Sequence, residues 1–135
     1  MDLENTTVLS SELDKEKFGQ TWTIKEVIPE NQTTILFGDE DSYKTFIAIN
    51  LAVQIQNGLQ EVAETKQTGV LYLCLENQIG LWERINAIQS LYPNAEAIRI
   101  NPEKFDILSE EDVIEVTAYC RKYQIGFLVI DTISQ

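Results

Sequence analysis

Apolar and polar positions fall along this chain in blocks whose period changes from one block to the next. Val70–Leu75 is an unbroken apolar run, and so is Phe127–Ile130. Such runs read as strands covered on both faces of a parallel sheet. Thr33–Phe37 has the same character and predicts the first core strand. Elsewhere the period is helical. Phe46, Ile49 and Val53 share one stripe of a helix over Lys44–Gln56. Leu81–Leu91 predicts a second helix, stopped by Tyr92-Pro93. Ser109 stands as N-cap of a third, with Asp112 in its first turn and Val113, Val116 and Cys120 on its apolar face. Ala97–Ile100 reads as a short strand, Thr21–Ile28 as a strand or turn, and Gly58–Gly69 as a polar connection. Gly126 closes the last connection before the Phe127–Asp131 strand. Strands that alternate with helices predict an α/β fold with a mostly parallel sheet and right-handed crossovers. Residues 1–20 are acid-rich and lack periodicity, so they read as an N-terminal arm or short helix; residues 21–135 form the domain.

The candidate chemistry sits where these blocks meet. Thr33–Phe37 ends at Gly38, and after a short polar stretch come Tyr43, Lys44, Thr45 and the first helix. Strand, loop, lysine–hydroxyl pair and helix is the layout of a phosphate-binding loop, G-x-x-x-x-G-K-[ST], with Tyr43 in place of the second glycine. Backbone N–H groups of such a loop and the positive end of the helix hold phosphate. Lys44 would add a point charge, Thr45 a hydroxyl for Mg²⁺, and Gly38 the turn. Asp39, Glu40 and Asp41 repel an anion and are expected to weaken its binding. Two more acids end strands: Glu76 after Val70–Leu75, and Asp131 after Phe127–Ile130. Open α/β sheets bind their ligands at that edge. Asp131 would hold the water shell of Mg²⁺, and Glu76 would polarise an attacking water. Either acid alone is explained as a solvent-facing strand end; both together with the loop, in this order, point to a nucleotide.

The residues also resemble a family. Ser42-Tyr43-Lys44-Thr45-Phe46 is similar to the G-S-[YF]-K-[ST]-F form of the RepA-like branch of the RecA-type ATPases (AAA family), known for hexameric plasmid and phage helicases. Trp22–Asn31 resembles its lead-in, Ile47–Gly58 its first helix, Leu71–Ile85 its second strand with the acid, glycine and arginine that follow, and Phe127–Ser134 its Walker B strand. The acidic triplet Asp39-Glu40-Asp41 departs from the small residues usual there. The resemblance implies a three-layer P-loop NTPase (RecA-like) fold that binds ATP and Mg²⁺. The nucleotide would be held by Gly38, Asp39, Glu40, Asp41, Ser42, Tyr43, Lys44, Thr45 and Phe46, the metal by Thr45 and Asp131, with Glu76 catalytic. In that class the strand between the P-loop and Walker B strands follows Walker B in sequence, as do an arginine finger and the DNA-contacting loops. The sheet is therefore expected to be incomplete after Asp131, and turnover by this chain low. The implied role is in replication or maintenance of phage, plasmid or bacterial DNA, as a hexameric homo-oligomer that meets DNA through regions beyond Gln135. The alternative is a degenerate, non-catalytic acidic protein that inhibits a host nucleic-acid enzyme.

Charge and composition narrow this further. Twenty-two acids against ten bases give a net charge of −12, and histidine is absent. Histidine bases and histidine metal ligands are thereby excluded. Affinity for nucleic acid comes mainly from Lys and Arg, so this chain by itself is not expected to bind DNA. The acidic surface serves solubility or a basic protein partner. Cys74 and Cys120 are expected as core thiols of a reducing compartment rather than a disulfide. No run reaches transmembrane length and the N-terminus has no signal pattern, which together predict a cytoplasmic protein without membrane contact.

Overall fold

The centre of the molecule is the strand β3 (Gly69–Cys74). In the computed structural model, which describes residues 1–14, 19–39, 43–61, 63–75 and 78–131, it pairs in parallel with β4 (Arg99–Asn101) and β5 (Ile125–Asp131). The strand order is β4-β3-β5. Parallel neighbours need long crossovers. Here they run through α3 (Leu81–Leu91) between β3 and β4, and α4 (Glu110–Lys122) between β4 and β5.

The pleat sends alternate side chains of β3 to opposite faces. Val70, Tyr72 and Cys74 join Ile49, Ala52, Val53 and Ile55 of α2 (Lys44–Asn57) and Leu81 and Ile88 of α3 in one buried core. Leu71 and Leu73 face the other way. With Phe105, Val116 and Tyr119 they line a cavity of about 160 Å³ beneath α4. Helices therefore cover both faces of the sheet, which makes this a mixed α/β fold and part of the three-layer P-loop NTPase arrangement. Two shorter strands, β1 (Trp22–Ile24) and β2 (Ile28–Pro29), form an antiparallel hairpin. Its Ile24 and Ile28 reach the core. Backbone bonds from Lys25 N to Glu64 O (2.9 Å) and from Lys66 N to Thr23 O (2.8 Å) fasten it to the connection before β3. The N-terminal arm carries a short helix, α1 (Leu3–Thr6), and a 3-10 turn at Ser10–Glu12, neither with a buried residue.

Helix ends follow local chemistry. Gly58 takes φ +62° at the C-terminus of α2 and its N–H reaches Gln54 O and Ile55 O, the left-handed cap that glycine adopts most readily. At α4 the Ser109 side chain accepts from Asp112 N at 3.3 Å. Glu110, Glu111 and Asp112 fill its first turn, and Arg121 and Lys122 its last, each sign matched to the helix dipole.

Four expectations need correction. Thr33–Phe37 is not a strand, and Ile35 and Phe37 are 76% and 86% exposed. An apolar run becomes a strand only where a neighbour takes its backbone N–H and C=O groups. The resemblance places that neighbour later in sequence than Asp131, and no described strand flanks the run. Second, the last strand is not covered on both faces: β5 ends the described sheet and its Leu128 is 40% exposed. That strand also begins at Ile125, so Gly126 lies inside it. Third, the short strand expected at Ala97–Ile100 runs over Arg99–Asn101, set by pairing with Leu71–Leu73. Fourth, α4 buries no residue. Val113 is exposed and Cys120 half-buried, so only Cys74 is a core thiol.

Candidate functional site

Cys74 and Asp131 are register partners, so β3 and β5 finish at the same edge of the sheet. The N-terminus of α2 comes to that edge. The Thr45 hydroxyl, in its first turn, donates to Asp131 Oδ2 at 2.9 Å, across 86 positions of sequence. The Tyr72 hydroxyl, from the core face of β3, donates to the same oxygen at 2.5 Å. Leu75 N closes on Asp131 O at 2.7 Å and fixes the strand end. Tyr72 is fully buried. Burial pushes its phenol well above the usual value, the neighbouring Asp131 carboxylate adds to the rise, and the Arg84 guanidinium opposes it.

The loop before α2 is drawn in by its lysine. The Lys44 ammonium donates to Gly38 O and, at 3.1 Å, to Asp39 O. Tyr43 precedes the helix with φ +63° and ψ +21°, the left-handed region. This is the conformation in which glycine is at ease, so the backbone at Tyr43 keeps the geometry of the glycine it replaces. The Tyr43 ring lies tilted against Phe46 at 6.1 Å, and the Arg84 guanidinium sits 5.8 Å from the Phe46 ring.

Of the residues singled out from sequence, Thr45 and Asp131 are thus in direct contact, and Gly38, Asp39, Tyr43, Lys44 and Phe46 surround the same helix start. Glu40, Asp41, Ser42 and Glu76 lie outside the described residues. Sequence reasoning left Tyr72 out of the site. The available signal was a phenol inside an otherwise aliphatic strand, because a buried tyrosine hydroxyl requires a partner. Arg84 was noticed only as part of the resemblance; its place beside Phe46 and Tyr72 depends on how α3 docks.

The Thr45–Asp131 pair offers two hard oxygen donors. Mg²⁺ suits them, since it keeps several waters and takes one or two carboxylates together with substrate phosphate oxygens. Among the described residues no group of three or more Cys, Asp or Glu side chains forms an all-protein metal cage.

A lysine–hydroxyl pair at a helix start, facing a strand-end aspartate, is the equipment with which P-loop ATPases meet phosphate and metal. Comparison with known families agrees: the chain belongs to the AAA domain family, with the match running over residues 2–135. Membership implies a nucleotide ligand. Neither the curated proteins nor the solved structures contain a match to the chain. No helix among the described residues is long and apolar enough to cross a membrane.

Proposed function

We propose that this chain is the ATP-binding part of a RepA-like ATPase that serves replication or maintenance of phage, plasmid or bacterial DNA. The observation that carries the reading is the Thr45–Asp131 contact at 2.9 Å, which joins the two motifs most distant in sequence at one edge of the sheet. Lys44 would exchange its bonds to the Gly38 and Asp39 carbonyls for phosphate oxygens. Thr45 and Asp131 would hold Mg²⁺, the aspartate through the metal's waters. The bound ion would supply neutralisation of phosphate charge. Glu76 would orient the attacking water. Homo-oligomerisation, as a hexamer, and DNA contact through other regions belong to the same reading.

Calorimetry with ATP and ADP, with and without Mg²⁺, tests it. Weak binding that strengthens with Mg²⁺ and disappears in Lys44→Ala is expected. A folded wild-type chain that gives no heat at millimolar nucleotide would remove the proposal. Glu76→Gln is expected to leave nucleotide affinity unchanged; a loss of affinity in that variant would place Glu76 in binding rather than in the chemistry.

A further inference from the structure

Asp131 Oδ2 accepts from two hydroxyls of different standing. Thr45 lies in the first turn of α2, half-buried, and its oxygen is the one the metal would draw on. Tyr72 belongs to the central strand, is 0% exposed and shares the core with Ile49 and Val53. Its ring cannot turn away without disturbing that core, so its hydroxyl is a fixed point. A carboxylate tethered to it has Oδ2 anchored from the core side, at the edge of the sheet where the ligand would sit.

We infer that Tyr72 is a positioning residue for the metal: it sets the Asp131 carboxylate in the orientation that receives the Mg²⁺ of a bound nucleotide. This rests on the nucleotide reading above and adds a residue to it. Groups that hold a metal-binding carboxylate from behind are commonly worth about 10–100-fold in metal affinity. A purely structural role, in which the aspartate merely satisfies a buried phenol, would change stability and leave the metal requirement alone.

The experiment is calorimetry of ADP binding to the intact chain, in EDTA and across a Mg²⁺ series, for wild type, Tyr72→Phe, Asp131→Asn and the double variant. Tyr72→Phe is expected to raise the half-saturating Mg²⁺ about tenfold and to leave affinity in EDTA where wild type has it. On the Asp131→Asn background it should add nothing. An unchanged Mg²⁺ midpoint in Tyr72→Phe, or an equal shift on both backgrounds, overturns the inference while the nucleotide reading stands. A folded wild type that binds no nucleotide in either condition overturns that reading, and the metal role of Tyr72 with it. If Tyr72→Phe does not fold, the tyrosine doublet in ultraviolet resonance Raman decides between wild type and Asp131→Asn, which both retain Tyr72. Loss of one strong-donor tyrosine in Asp131→Asn supports the tether; an unchanged doublet overturns it.

Discussion

Tyr43 holds a left-handed backbone, φ +63°, without being glycine or asparagine. Strain of this kind costs about 1–3 kcal/mol, and its ring recovers part of that against Phe46. Tyr43→Gly is therefore expected to leave stability to urea level or slightly higher. Tyr43→Val, β-branched and poorly suited to positive φ, should lose about 1–3 kcal/mol. Equal losses in both would mean that the ring contact outweighs the strain. The glycine-like position of Tyr43 was legible in sequence through the spacing to Lys44 and Thr45, since that spacing fixes where the loop turns. Tyr72 was not legible, because its partner is set by strand register and not by local pattern. It carries a second prediction. Its phenol is held above the unfolded value of about 10. The folded state thus binds this proton more tightly, so the contribution to stability is complete below about pH 10 and is lost as pH rises toward the folded value. Unfolding free energy should fall from this group by about 1.4 kcal/mol per pH unit above pH 10. Urea titrations across that range should show the slope in wild type and its absence in Tyr72→Phe.

Elements differ in what holds them. The helix α2 is fixed by its buried stripe of Ile49, Ala52, Val53 and Ile55, whereas α4 buries nothing and relies on its cap and end charges. Ser109→Ala should therefore cost about 1 kcal/mol in denaturant unfolding, and α4 amides should exchange with solvent faster than those of α2. Equal protection of the two helices would show that packing on β5 matters more for α4 than its burial indicates. Both helices were legible, α4 through its Ser109 cap, Asp112 and the period of Val113, Val116 and Cys120, α2 through its own period. Of the core strands, β3 was legible because its run is both apolar and paired on two sides. Thr33–Phe37 has as good a run and fails to form a strand, because pairing is a non-local property that composition does not carry. The inclusion of Gly126 in β5 was equally hidden. A Cβ there would lie 2.2 Å from Thr68 Oγ1, so the residue is small because the start of β5 passes directly against the chain entering β3.

At the scale of the whole molecule the dominant fact is charge, and six of the ten positive side chains are already engaged. Lys25 pairs with Glu64 at 3.3 Å and Lys66 with Glu30 at 2.9 Å. Lys44 is turned onto its own loop. Arg99 and Lys122 lie 4.9 and 5.3 Å from the Tyr123 ring, and Arg84 over Phe46. These bases are scattered over different elements, against a net charge of −12. Nucleic-acid affinity needs several phosphates neutralised together on one surface. Only within about 10 Å does attraction survive screening at ~0.1 M salt. The isolated chain is therefore expected to leave single- and double-stranded DNA unbound in a fluorescence-anisotropy titration at that salt. Saturable binding tighter than about micromolar would overturn the argument, since non-specific binders reach only ~10⁻⁴–10⁻⁶ M. If binding did occur, a steep loss with added salt would show that phosphate neutralisation by Lys and Arg carries it. Salt-insensitive binding would require stacking on bases, for which the exposed Tyr119–Tyr123 ring pair beside Arg99 and Lys122 is the surface to mutate first.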